Sequence, residues 1–113
     1  MRPPRPAGAL LILLAALCAR PVQAQTLAPI YATPQQRVTL PDGRLLNFVC
    51  QGEGSPTVIL TAGAGDWSAS WSLVQPQVAK RTHVCGWDRP GYGFSDAATQ
   101  PQTAEALAAD LAA

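Results

Sequence analysis

The sequence predicts an α/β fold in which a β-hairpin leads into a strand–helix–strand–helix unit. Three observations carry this. Thr57-Val58-Ile59-Leu60-Thr61 is an unbroken β-prone run, as expected of a strand covered on both faces. Ser68 to Val78 and Gln102 to Ala113 each place apolar residues at helical spacing. Between two shorter strand-like runs stands Pro41-Asp42-Gly43-Arg44, a tight-turn sequence in which proline presets one backbone angle and glycine accepts a positive one. The order strand, strand, strand, helix, strand, helix joins a hairpin to a parallel α/β unit.

The elements follow in chain order. Arg2 and Arg5 precede an apolar run from Ala7 to Ala19, Arg20-Pro21 ends it, and Val22-Gln23-Ala24 supplies small residues at a cleavage site. Residues 1–24 therefore read as a secretory signal peptide, and the mature chain is expected to be exported, periplasmic or secreted. The apolar run is short for a bilayer span, so no stable membrane span is expected after cleavage. The two arginines are not adjacent, which argues against a twin-arginine signal, and Leu17 before Cys18 argues against a lipoprotein anchor. Residues 25–36 show no period and read as an extended arm. The domain proper is expected over 37–113.

Within it, Arg37 to Leu40 and Leu45 to Cys50 form the hairpin strands, and Gln51 to Pro56 is a polar glycine-rich turn. After the Thr57–Thr61 strand and a glycine-rich loop, Trp71, Leu73, Val74 and Val78 are spaced to rest a helix on the sheet. Pro76 must bend or end that helix. Thr82 to Cys85 is the next strand. In the last segment Ala104, Leu107, Ala108 and Leu111 recur at helical spacing among strong helix formers, and no stop signal precedes Ala113.

Charge and cysteine content narrow the function classes. From Gln25 onward Arg37, Arg44, Lys80, Arg81 and Arg89 face seven acidic residues, a net charge of about −2. Lys80-Arg81 is the one adjacent basic pair, which a solvated turn explains, so no nucleic-acid partner is expected. Cys50 and Cys85 each end an apolar strand-like run. An exported chain permits a disulfide between them, while buried free thiols are common at such places; geometry decides.

Two segments resemble the α/β-hydrolase superfamily. Thr57-Val58-Ile59-Leu60-Thr61-Ala62-Gly63-Ala64-Gly65-Asp66, with Trp71 downstream, is similar to its strand and oxyanion loop. Gly86-Trp87-Asp88-Arg89-Pro90-Gly91-Tyr92-Gly93-Phe94-Ser95-Asp96 is similar to its Asp-Arg-x-Gly-x-Gly-x-Ser segment. The match covers about 37–113. It implies the amino-terminal part of an α/β-hydrolase sheet, truncated before the nucleophile elbow. The Thr57–Thr61 strand would then lie beside a strand absent from this sequence.

What the resemblance implies can be stated residue by residue. Attack on a carbonyl builds negative charge on oxygen, which fixed backbone N–H groups stabilise. The Ala64 amide would be one oxyanion donor, on a loop that Gly63 and Gly65 keep free of bulk. The second donor would follow the nucleophile. Ala62 stands where the family often has histidine, which weakens the match to members whose loop depends on that residue. In the second segment Asp88 and Arg89 would hold the loop through hydrogen bonds and an ion pair. Gly91 and Gly93 would shape its course, Tyr92 and Phe94 would close over the core or line a substrate entrance, and Ser95 or Asp96 would cap a turn. The implied chemistry is hydrolysis of an ester, amide or related carbonyl compound, a small-molecule substrate, by a Ser-His-Asp/Glu mechanism without cofactor or metal. This sequence by itself is expected to be inactive.

Other readings fit less well. Ser95 lacks the strand-in, helix-out setting of a nucleophile elbow. His83 starts its strand, whereas this fold gathers catalytic groups at strand carboxyl ends, so it reads as a structural or surface histidine. A dinucleotide-binding unit is disfavoured because Ser68 occupies the third glycine position and a hairpin comes first. A non-catalytic homologue acting as a binding protein, or a hydrolase with an aspartate nucleophile of the dehalogenase or epoxide-hydrolase kind, remain as alternatives.

Overall fold

The computed structural model describes residues 27–113; the signal-peptide reading lies outside the described residues. A one-turn helix α1 (Pro29–Ala32) is followed by β1 (Gln36–Thr39), β2 (Leu45–Gln51) and β3 (Val58–Thr61). A 3-10 turn (Ser68–Trp71), α2 (Gln75–Val78), β4 (Val84–Trp87) and α3 (Ala104–Ala112) complete the described chain. The strands form one mixed sheet in the order β1-β2-β4-β3. β1 and β2 pair antiparallel, as do β2 and β4, and β3 lies parallel to β4.

The hairpin forms where the turn chemistry demands it. Leu40 N–H donates to Arg44 O at 2.8 Å, and the Asp42 carboxylate accepts the Arg44 amide at 3.0 Å. Arg44 then reaches from the turn to α3, gripping Asp110 with two nitrogens at 2.7 and 3.0 Å while its Nε bonds Asp42 at 2.7 Å. These partners raise the Arg44 pKa further above its already high ordinary value. Thr103 caps α3, its hydroxyl accepting the Ala106 amide at 3.2 Å.

Strand alternation divides the core between the two sheet faces. On one face Leu46, Phe48 and Trp87 pack with Leu40 and with Leu107 of α3, and the Phe48 and Trp87 rings stack with centroids 6.2 Å apart. On the other, Val49 and Val84 are buried. Gly86 leaves room there for Gln75 and Ser68, the first atoms that a Cβ at Gly86 would meet.

Five expectations change. Residues 25–36 are not extended throughout, because α1 lies among them and buries Tyr31 to 1% exposure. The Ser68–Val78 helix is two short pieces, and Pro76 stands at the first turn of the second. Leu73 and Val74 face solvent, while Gln75 is fully buried. Gln75 succeeds there because its amide nitrogen donates to the Val49 and Val84 carbonyls and its oxygen accepts the Tyr31 hydroxyl at 3.1 Å. β3 is covered less than its composition suggests, with Ile59 44% exposed. Finally, β4 begins at Val84 and runs to Trp87, so Gly86 and Trp87 belong to the strand and not to the following loop.

Candidate active site

β3 and β4 are parallel with Thr61 opposite Trp87, so the two loops that leave their carboxyl ends emerge side by side. Ligand sites in open α/β sheets form at such ends. The Trp87 indole N–H donates to the Thr61 hydroxyl at 2.9 Å and pins the two exits together.

The loop after β3 turns sharply. Asp66 N–H donates to Gly63 O at 3.2 Å, and Gly65 takes a φ of 86°, as the third position of a type II turn requires. Gly63, Ala64 and Gly65 are exposed, and the Ala64 amide donates to no group among the described residues. Ala62 is buried beneath them at 6% exposure. The Arg89 guanidinium, arriving from the neighbouring loop, donates to the Gly63 carbonyl and lies 4.9 Å from the Tyr92 ring centroid. The Gly63 carbonyl is thereby held by both the Asp66 amide and Arg89.

The loop after β4 is organised around Asp88, which is wholly buried. Its Oδ1 accepts the Ser68 amide at 2.9 Å; its Oδ2 accepts the Asn47 side-chain amide at 2.9 Å and the Phe94 amide at 3.0 Å. Three donors replace the water lost on burial. The expected Asp88–Arg89 ion pair does not form, because the Asp88 carboxylate is taken up by Asn47, Ser68 and Phe94 while Arg89 reaches across to Gly63. Gly93 has a φ of 51°, and a Cβ there would overlap the Asp88 carboxylate. Gly91 donates its amide to Asp96 O at 2.8 Å.

Ser95 and Asp96 do not cap a turn but stitch this loop to β2. The Ser95 hydroxyl donates to Asp88 O and accepts the Asn47 amide at 2.9 Å. The Asp96 carboxylate accepts the Leu45 amide at 2.8 Å and pairs with Arg37 at 3.0 Å. With its hydroxyl engaged on both sides, Ser95 is part of the scaffold.

Beside the loops lies an open, mostly apolar pocket of about 440 Å³, lined by Leu27, Tyr31, Ala32, Trp67, Gly93 and Phe94. Phe94 thus faces a cavity, whereas Tyr92 packs on Arg89. Leu27, Tyr31 and Trp67 were not legible as wall residues: α1 carries no amphipathic period, and only the tertiary fold brings it against the 3-10 turn. Burial raises the Tyr31 pKa, an effect that its hydrogen bond from Gln51 partly opposes.

The remaining candidates lie elsewhere. Cys50 and Cys85 face each other across β2 and β4 and are joined by a disulfide. His83, just before β4, lies at the amino end of the parallel pair, with its Nδ1 3.0 Å from the Thr57 hydroxyl. It is the chain's single histidine and does not approach the glycine turn. No Ser-His-acid set forms among the described residues, and no helix there is long and apolar enough to cross a membrane.

No protein-family model matches the chain, and no curated protein matches it at a significant level. Solved structures do. An α/β hydrolase from Sphaerobacter thermophilus is 33% identical, with a TM-score of 0.59, over 69% of this chain and 30% of that one. A thermophilic esterase from Thermogutta terrifontis is 29% identical, with a TM-score of 0.59, over 69% of this chain and 30% of the esterase. The epoxide hydrolase CorEH is 25% identical, with a TM-score of 0.61, over 68% of this chain and 26% of its own. The present chain thus spans under a third of these structures' lengths, and over roughly two thirds of its own length it shares the α/β-hydrolase fold.

Proposed function

We propose that the complete protein is an exported hydrolase that cleaves an ester, amide or related carbonyl substrate through an acyl-enzyme intermediate, with the Ala64 amide as one oxyanion donor. The observation that carries this reading is the exposed Gly63–Ala64–Gly65 turn at the carboxyl end of β3, its Ala64 N–H unpaired among the described residues and its Gly63 carbonyl clamped by Arg89. A donor held rigid before reaction need not reorganise as charge develops, which is how such a group lowers a barrier. The pocket walled by Tyr31, Trp67 and Phe94 suits an apolar substrate group. The nucleophile, its histidine and the acid would come from sequence beyond these residues, so the 113-residue chain alone is inactive in this reading. Export is proposed from the charged start, apolar run and small-residue site of residues 1–24.

The test is proline at position 64 in the complete protein. Ala64 is the second residue of the turn, a position that accepts proline, so Ala64→Pro deletes the N–H with little disturbance of the backbone. Hydrolysis of short-chain nitrophenyl esters should lose about 10²–10³-fold in kcat with a smaller change in KM. Unchanged kcat would remove Ala64 from the mechanism, and no ester or amide turnover by the unmodified protein would remove the reading itself. The fold likeness to an epoxide hydrolase favours one second reading, an aspartate nucleophile opening an epoxide; turnover of styrene oxide but not of esters would select it.

A further inference from the structure

We propose that Cys50, Cys85 and His83 form a redox-gated site for a thiophilic divalent cation of the zinc type, closed by the disulfide and opened by its reduction. The site belongs to the amino end of β4, opposite the loops described above, and does not depend on the hydrolase reading.

Strand geometry brings the three side chains together. His83 and Cys85 are two residues apart and so project from one face, and Cys50 is the direct cross-strand partner of Cys85. Their ligand atoms all lie within 4.8 Å of one another. His83 Nε2 is 3.7 Å from Cys85 Sγ. In a tetrahedral zinc site with Zn–S near 2.3 Å and Zn–N near 2.0–2.1 Å, the S···N edge is about 3.6 Å. The imidazole is therefore already at ligand spacing from one sulfur. On reduction the two sulfurs must part to about 3.8 Å, and the Cys50 sulfur must close on the imidazole from within the 4.8 Å that now spans the three ligand atoms.

The imidazole is also oriented. Thr57 Oγ1 lies 3.0 Å from its Nδ1, so when Nδ1–H donates to that hydroxyl the Nε2 lone pair faces the sulfurs. Metal-bound histidines are held in this way by a partner on the far nitrogen. Access exists as well: Ile59, opposite Cys85 on β3, is 44% exposed, and Cys50 and His83 are half-buried.

The chemistry balances with a dithiol as reductant. Two electrons and two protons pass to the bridge, its S–S bond breaks into two thiols, and the dithiol closes to its own disulfide. The cation then displaces both thiol protons and takes the neutral imidazole nitrogen, leaving a fourth position for water. The strands β2 and β4 would thus stay clasped in either redox state, by the bridge when oxidised and by the bound cation when reduced.

The experiment is a cobalt(II) titration of the full chain carrying Cys18→Ser, in oxidised and in phosphine-reduced form, without oxygen. The reduced chain should take up one equivalent with thiolate-to-cobalt charge-transfer bands that zinc(II) abolishes, and the oxidised chain should show none. His83→Ala, which leaves the disulfide intact by mass spectrometry, should weaken binding at least tenfold, and Thr57→Val about tenfold. Absent charge-transfer bands, equal binding in both redox forms, or His83→Ala titrating like its parent would each overturn the proposal. If reduction unfolds the chain, far-UV circular dichroism should recover on adding zinc(II); failure to recover overturns it too.

Discussion

At the scale of single residues, Gly93 and Asp88 show how one side chain can set a whole loop. Asp88 is buried against three donors, and Gly93 must both adopt a positive φ and pass over its carboxylate. Gly93→Ala therefore combines backbone strain with overpacking and should cost roughly 2–4 kcal/mol. Gly65 has a φ of 86° but open space around its Cβ position, so Gly65→Ala should cost only about 1–2 kcal/mol. Urea denaturation of both variants checks the difference, and equal costs would mean that contact with Asp88 contributes nothing. The sequence made Asp88 and Gly93 visible as members of one motif. It did not show that their roles are linked, since the contact depends on the loop closing back over β4.

At the scale of elements, local chemistry is legible in the sequence and burial less so. α3 lies within its expected segment because Thr103 supplies a cap and alanine, glutamate and leucine favour the helix. Thr103→Ala should cost about 1 kcal/mol, measured as a lowered thermal midpoint. Acid should loosen the hairpin turn and the first turn of α3. The Arg44 hydrogen bond holds the Asp42 carboxyl below its ordinary pKa, and bonds from its own backbone and Thr103 do so for Glu105. Both pKa values are depressed on folding, so their stabilisation is present above about pH 4.5 and lost as pH falls through the folded values. Because both groups are exposed, the loss should shrink in high salt. Proton titration by NMR in the folded chain should find both carboxyls below model-peptide values. By contrast, periodicity suggested Leu73 and Val74 as the buried face of one helix. Pro76 splits that segment, so the face turns and Gln75 enters instead. Leu73→Ser should accordingly change stability by no more than about 0.5 kcal/mol, whereas a helix resting on Leu73 would lose several times that.

At the scale of the whole molecule, Trp87 ties the parts together. It packs with Leu40 and Leu46, stacks on Phe48 and bonds Thr61 on β3. Trp87→Ala should cost about 3–5 kcal/mol, a large share of a small domain's stability, and is expected to broaden or abolish the cooperative thermal transition. Retention of a sharp transition at the original midpoint would place the core elsewhere. The α/β class, the hairpin turn, the last helix and the two glycine-rich loops were determined by the sequence alone, because turn propensity, helix propensity and apolar period act over a few neighbouring residues. Only the tertiary structure decided the rest. It set Arg89 on Gly63 instead of Asp88, moved Tyr31 from an arm into a pocket wall, and gathered Cys50, Cys85 and His83 on one sheet face. Each of those contacts joins residues brought together by strand order and register, which depend on how the whole sheet buries its faces.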